Sequence, residues 1–179
     1  MKDSVCKVTS CRPKTDGSFQ TSTNDICHED SMSSCSPQPA LRKHPSKLFV
    51  ETTTRCNFQC QACVKQSDGN GIVDGDMSIP TFLSLRPAFP YLESLVLNGI
   101  GEPLLNPHME YFIRIAKDQM PRSAWVGFQS NGALLVKERA AALVDAGVDR
   151  ICFSLDSVSC ESFRKFREGG EVGDVERAL

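Results

Sequence analysis

The sequence lacks the features that are typical of a membrane protein, a secreted protein or a nucleic-acid-binding protein. It has no apolar run near the roughly 18 residues that a membrane-spanning helix needs. Its N-terminus has no apolar segment behind a basic start, as a secretion signal would. Its net charge of -2 over 179 residues provides no basic field for nucleic acid. We therefore expect a cytoplasmic protein that binds neither a membrane nor nucleic acid.

The chain is also poor in histidine, with three residues, but it has nine cysteines. No histidine stands in a pattern that would pair it with a nucleophile. An odd number of cysteines without an export signal favours a reducing compartment and metal binding, and disulfides are the alternative.

Residues 1–44 differ in composition from the rest of the chain. They are rich in Ser, Thr, Pro and Cys and contain only scattered apolar residues. We predict a disordered tail over 1–44 and one core domain over 45–179. Four cysteines of the tail are irregularly spaced, and we interpret them as free thiols rather than a second metal site: Cys6, Cys11, Cys27 and Cys35.

Four runs that are apolar or rich in β-branched and aromatic residues predict strands. They are Leu48–Thr54, Ser94–Asn98, Trp125–Ser130 and Ile151–Asp156. Helical patterns separate these runs, and strands that alternate with helices form right-handed crossovers and a parallel sheet. Because the chemistry of such folds lies at the carboxyl ends of the strands, functional residues should follow each run.

Two of the helical patterns have clear ends. The pair Asn106 and Pro107 predicts a cap and a first helical residue, and apolar residues follow at spacings of three and four. The segment Lys137–Ala146 predicts a second helix that ends at Gly147. The inward-facing residues predicted for this second helix are Ala140, Leu143 and Val144.

The most informative feature is a group of three cysteines directly after the first predicted strand. Cys56, Cys60 and Cys63 fall at spacings of four and three. Three such thiolates can bind three irons of a four-iron cluster and leave the fourth iron open to a small molecule. A structural zinc site would need four ligands, typically in two close pairs. The next cysteines are Cys152 and Cys160, and Cys152 lies in an apolar run that favours a buried thiol, so zinc and unligated thiols remain alternatives.

The arrangement C-x3-C-x2-C after a first strand resembles the signature of the radical S-adenosylmethionine (SAM) enzymes. Asn57 and Phe58 match the residues that often follow the first cysteine of that family, whereas Ala62 stands where an aromatic residue is usual. The resemblance implies that Cys56, Cys60 and Cys63 bind a [4Fe-4S] cluster.

A glycine-rich element follows the second predicted strand. The run Gly-Ile-Gly-Glu-Pro over residues 99–103 is by itself a common turn pattern. After the cysteine group it resembles the Gly-Gly-Glu-Pro element that engages the amino group of SAM in the family. The resemblance implies cofactor binding by Gly101 and Glu102, because a carboxylate accepts a charge-assisted hydrogen bond from an ammonium group.

The third and fourth predicted strands also end in elements similar to those of the family. These are Gln-Ser-Asn-Gly over 129–132 and Ser-Leu-Asp over 154–156. The resemblance implies that Ser130, Asn131 and Ser154 contact the ribose or carboxylate of SAM. Turn formation and bonding to backbone groups are the alternatives for these residues.

Taken together, the resemblance implies an α/β fold, a partial parallel (βα) barrel with about four of the six units of the family, truncated after the fourth. It implies an enzyme that cleaves SAM reductively to a 5′-deoxyadenosyl radical, with an electron donor such as flavodoxin or ferredoxin. The resemblance leaves the substrate unidentified, either a small molecule or a peptide, and the style of the strand-end elements points to peptide or protein modification. The alternative is a non-catalytic iron–sulfur or zinc-binding protein.

Overall fold

The structure is a computed structural model that describes residues 42–179. The predicted tail as far as residue 41, with its four cysteines, lies outside the described residues. Within the described part, no helix is long and apolar enough to cross a membrane.

A four-stranded sheet forms the centre of the fold over residues 42–179. All neighbouring strands are parallel, and their order in the sheet follows their order in the chain. This arrangement confirms the predicted α/β fold class. The strands are β1 (Lys47–Phe49), β2 (Ser94–Val96), β3 (Trp125–Ser130) and β4 (Arg150–Phe153).

The first strand is shorter than the sequence predicts, because the residues after it pair with a different segment. The backbone N–H of Met77 donates to the Thr52 carbonyl at 2.8 Å, and that of Thr54 donates to the Gly75 carbonyl at 3.0 Å. The chain therefore leaves the sheet after β1, and the cysteine group lies in a loop beyond the strand end.

In the part of the chain that the structure describes, five helices accompany the sheet, with short 3-10 turns between them. The helix Lys137–Ala146 has the predicted bounds, and Gly147 ends it with a φ of 91°, a conformation that favours glycine. Leu143 is fully buried, but the prediction for Val144 is wrong, because its side chain is 69% exposed. The helices are α1 (Ile79–Leu83), α2 (Met109–Gln119), α3 (Lys137–Ala146), α4 (Cys160–Phe166) and α5 (Val172–Ala178).

The α2 helix begins two residues later than the sequence predicts, because Asn106 has another role. Its side-chain amide donates to the backbone carbonyls of Thr52 at 2.7 Å and Met77 at 3.2 Å. Its side-chain oxygen accepts from the backbone N–H of His108 at 2.8 Å. Asn106 is fully buried and ties the start of α2 to the segment before the cysteine loop.

Two apolar clusters stabilise the fold. The larger one lies between the sheet and α2 and α3, and it includes Leu95, Val126 and Phe112. Alternate residues along the strands lie on the opposite face of the sheet, where Phe49 is 74% exposed. Cys152 is on that face, so the prediction of a buried thiol is wrong.

The smaller cluster supports the cysteine loop. Phe58 is 3% exposed and packs with Phe163 from α4 and with Val172 and Val175 from α5. Burying these side chains fixes the loop against the last two helices, since each buried apolar side chain contributes about 1.5–3 kcal/mol.

Candidate functional site

All eight site residues predicted from the sequence line one cavity. Its volume is about 580 Å³, and it lies at the carboxyl ends of the strands, the expected place for chemistry in a parallel sheet. The eight residues are Cys56, Cys60, Cys63, Gly101, Glu102, Ser130, Asn131 and Ser154.

The cysteine loop is held at both its backbone and its one buried side chain. The backbone N–H of Gln59 donates to the Glu168 carbonyl at 2.7 Å, and that of Gln61 donates to the Phe166 carbonyl at 3.1 Å. Phe58 lies against Gly170, where a Cβ atom would come within 2.4 Å of the ring. The loop that carries the thiols is therefore preorganised by the segment after α4.

The donor set suits an iron–sulfur cluster. The three thiols are free and partly buried, and soft thiolates favour such clusters. Within residues 42–179 no three acidic, histidine or cysteine side chains converge on one point as the ligands of a single metal ion would. A four-iron cluster requires no such convergence, because each thiolate binds a separate iron.

The pKa of the Cys60 thiol reflects its surroundings. Burial raises this pKa, and the nearby guanidinium of Arg167 opposes the rise. The neighbouring thiols Cys56 and Cys63 raise it further. Burial and the neighbouring thiols thus disfavour the thiolate form of Cys60. Metal binding would favour this form, since a bound cation stabilises the thiolate.

The glycine-rich loop after β2 packs directly on the segment before Cys56. The Glu51 carboxylate accepts from the backbone N–H of Ile100 at 2.6 Å. The backbone N–H of Glu102 donates to the Arg55 carbonyl at 2.8 Å. A Cβ atom on Gly101 would lie 2.4 Å from the carbonyl oxygens of Thr53 and Arg55, so only glycine permits this approach.

We expect Gly101→Ala to destabilise the protein by about 1–3 kcal/mol, the usual range for overpacking. The added methyl group would push the glycine-rich loop away from the backbone before Cys56. The free energy of unfolding in urea measures the effect. Gly75→Ala is the matched control, because no atom lies within 4 Å of its Cβ position. Equal stability of the two variants would contradict the close packing of the loops.

Glu102 is a buried carboxylate that joins the glycine-rich loop to the end of β3. Its residue is 3% exposed. It accepts hydrogen bonds from the Ser130 hydroxyl at 2.8 Å, the Asn131 N–H at 2.8 Å and the Leu104 N–H at 3.2 Å. Burial raises the pKa of Glu102, and these hydrogen bonds oppose the rise. A carboxylate offers about four acceptor positions, so one position remains for a ligand.

The residues at the end of β3 are bonded within the protein. The Ser130 hydroxyl donates to Glu102 and accepts from the Gly132 N–H at 3.0 Å. The side-chain amide of Asn131 donates to the Asn57 side-chain oxygen at 2.8 Å. These contacts link β3, Glu102 and the cysteine loop, and they give Ser130 and Asn131 a positioning role at the cavity wall.

Ser154 differs from Ser130 because its hydroxyl donates to no acceptor among residues 42–179. Its oxygen accepts from the Gln129 side-chain amide at 2.8 Å, and its residue is half-buried. The hydroxyl hydrogen is available to a ligand in the cavity. Ser154 is therefore the predicted contact best placed for direct binding.

Sequence reasoning missed a cation at the cavity. Arg167, just after α4, lies with its Nη1 atom 3.9 Å from the Cys60 Sγ atom and with its Nε atom 2.6 Å from the Asp156 carboxylate. No motif marks this arginine, since it stands among other charged residues near the end of a helix. Only its proximity to a cysteine 107 positions earlier in the chain identifies it.

Comparison with known proteins agrees with this geometry. The family model described as the Radical SAM superfamily matches residues 50–179. A tungsten-containing aldehyde ferredoxin oxidoreductase cofactor-modifying protein from Pyrococcus furiosus is 35% identical over 112 residues, which cover 61% of this chain and 30% of that protein. A GTP 3',8-cyclase from Mycobacterium ulcerans is 33% identical over 132 residues, which cover 72% of this chain and 36% of that protein.

A solved structure shows the same fold. The crystal structure of BtrN in complex with AdoMet and 2-DOIA aligns with a TM-score of 0.55 and 20% identity, over 76% of this chain and 56% of that one. The chain spans only about a third of the length of the two curated relatives, 30% and 36%. Since the family model covers more than two thirds of the sequence and includes every predicted site residue, the chain belongs to the radical SAM superfamily.

Proposed function

We propose that this chain is the cofactor-binding part of a radical SAM enzyme that binds a [4Fe-4S] cluster through Cys56, Cys60 and Cys63. The observation that carries the proposal is the convergence of the cysteine loop and three strand-end elements on one cavity of about 580 Å³. A reduced cluster held by these three thiolates would supply one electron for the reductive cleavage of SAM to methionine and a 5′-deoxyadenosyl radical.

The residues of the cavity suit the parts of SAM. The buried charge of Glu102 and its remaining acceptor position complement the ammonium group. Gly101 lets the backbone approach the methionine part closely, and Ser154 offers a hydroxyl donor to the ribose or carboxylate. Ser130 and Asn131 hold Glu102 in place at the end of β3.

A second cavity supports a place for the substrate. It has a volume of about 610 Å³ and runs along the face of the sheet that carries Phe49 and Trp125. Asn98 and Gln129 line both cavities. Because these two residues border both cavities, a substrate in the second cavity would lie next to the cofactor in the first.

The names of the two relatives point to different substrates. The protein from Mycobacterium ulcerans is named for GTP, and the protein from Pyrococcus furiosus is named for the cofactor of another enzyme. The matched regions cover only 30% and 36% of these relatives, so their substrates are not assigned to this chain. We therefore propose that the substrate is a small molecule or a peptide, including a peptide segment within a protein that the enzyme modifies. We propose a low-potential donor such as flavodoxin or ferredoxin as the source of the electron.

The test is anaerobic reconstitution with iron and sulfide, followed by electron paramagnetic resonance of the reduced protein with and without SAM. We expect a four-iron signal that changes when SAM is added, and 5′-deoxyadenosine as a product when dithionite is the reductant. A four-iron signal that SAM leaves unchanged would support the non-catalytic alternative. Zinc without iron in the purified protein would support a zinc site instead.

A further inference from the structure

The guanidinium group of Arg167 is held against one cysteine of the predicted cluster site. Its Nη1 atom lies 3.9 Å from the Cys60 Sγ atom, within the range of a weak N–H···S hydrogen bond. Its Nε atom donates to the Asp156 carboxylate at 2.6 Å. The Arg167 side chain is 15% exposed, whereas Asp156 is 52% exposed. The aspartate thus anchors one edge of the guanidinium from the solvent side, and the other edge faces the thiol.

The backbone around Arg167 keeps this geometry rigid. The carbonyl groups on both sides of it, of Phe166 and Glu168, accept hydrogen bonds from Gln61 and Gln59 in the cysteine loop. The distance between Arg167 and Cys60 is therefore fixed by the same contacts that shape the loop. A long surface side chain free to rotate would be screened by solvent, but this one is confined by contacts at both of its edges.

A positive charge at this position acts on the redox state of a cluster. Reduction adds one electron, so the cluster and its thiolates become more negative by one charge. Hydrogen bonds to the sulfur ligands and nearby charges are the main protein factors that set the potential of a cluster. Partial burial increases the effect, because the charge is less screened there than in water.

We infer that Arg167 is a positioning residue that stabilises the reduced cluster by donating to the Cys60 thiolate, with Asp156 orienting its guanidinium. This inference rests on the proposed cluster site. The electron comes from a low-potential one-electron donor, and no bond of the protein is formed or broken. The charge of Arg167 also lowers the pKa of Glu102. Burial, which raises this pKa, and the hydrogen bonds, which lower it, have larger effects.

The experiment is an anaerobic redox titration of the reconstituted protein, followed by the paramagnetic signal of the reduced cluster. It is done without SAM, so that any contact of Arg167 with the cofactor cannot contribute. At the potential where half of the wild-type cluster is reduced, we expect the ratio of reduced to oxidised cluster in Arg167→Gln to be about tenfold lower. For a one-electron couple this equals a midpoint about 59 mV more negative. We expect a smaller shift of the same sign for Arg167→Lys, which keeps the charge but loses the fork of donors.

Arg164→Gln is the matched control, because Arg164 lies in the same region but pairs with Glu171 at the surface. It should titrate like the wild type. A midpoint of Arg167→Gln equal to or above that of the wild type would overturn the inference. If that variant does not retain a cluster, a midpoint of Arg167→Lys at or above the wild-type value would overturn it equally. Failure of the wild type to assemble any four-iron cluster would instead reject the proposed function.

Discussion

Cys60→Ala is expected to lose the four-iron cluster, and Cys56→Ala and Cys63→Ala should do the same. Each thiolate would bind a separate iron, and the loop offers no fourth cysteine to replace a missing one. We expect iron content to fall from about four atoms per chain to background, with loss of the visible thiolate-to-iron absorption. Iron and sulfide analysis after anaerobic reconstitution measures the effect.

The chain provides its own controls for this experiment. Cys152 and Cys160 are free and exposed, and neither lines the cavity that contains the cysteine loop. Cys152→Ala and Cys160→Ala should therefore retain full iron content. Full cluster content after the loss of any one of the three loop cysteines would contradict the assignment.

The fold could be predicted well from the sequence because its determinants are local. Each strand lies in a short run of apolar, β-branched or aromatic residues, and the alternation with helices fixes a parallel sheet. The helix Lys137–Ala146 was predicted with its observed bounds because Gly147 marks its end. Parallel strands bring their carboxyl ends to one edge of the sheet. Motifs that follow four different strands could therefore be assigned to one site from the sequence alone.

The roles of individual site residues depend on contacts between distant parts of the chain. Asn106 has the pattern of a helix cap, yet it bonds to the carbonyl of Thr52, 54 positions earlier. Arg167 has no motif and becomes significant only where the turn after α4 meets the cysteine loop. The contact of Arg167 depends on the packing of Phe58 against α4 and α5, and no local pattern in the sequence encodes either contact.

Glu102→Gln is expected to reduce SAM affinity by about tenfold to a hundredfold while the cluster content stays near that of the wild type. A hydrogen bond to a charged group is worth about 1.5–3 kcal/mol, and each 1.4 kcal/mol is about a factor of ten in affinity. The amide also cannot accept at both ends, so its NH2 group must face either the Asn131 N–H or the donors Ser130 and Leu104. Glu110→Gln in α2 is the control, because that carboxylate pairs with Arg139 away from the cavity.

The pH dependence separates a contact with SAM from a purely structural role of Glu102. Burial raises its folded-state pKa above the ordinary value, and the SAM ammonium favours the ionised form. Wild-type affinity for SAM should therefore rise as the pH rises through this raised pKa and level off above it, whereas Glu102→Gln should show no such step.

The raised pKa of Glu102 also affects folding. In the protein without cofactors, the folded state is more stable when Glu102 is protonated than when it is ionised. The free energy of unfolding should then decrease as the pH rises from the unfolded to the folded pKa of Glu102, and this decrease should be absent in the variant. If the variant loses the pH dependence of stability but binds SAM like the wild type, Glu102 joins the strand ends without contacting the ammonium group.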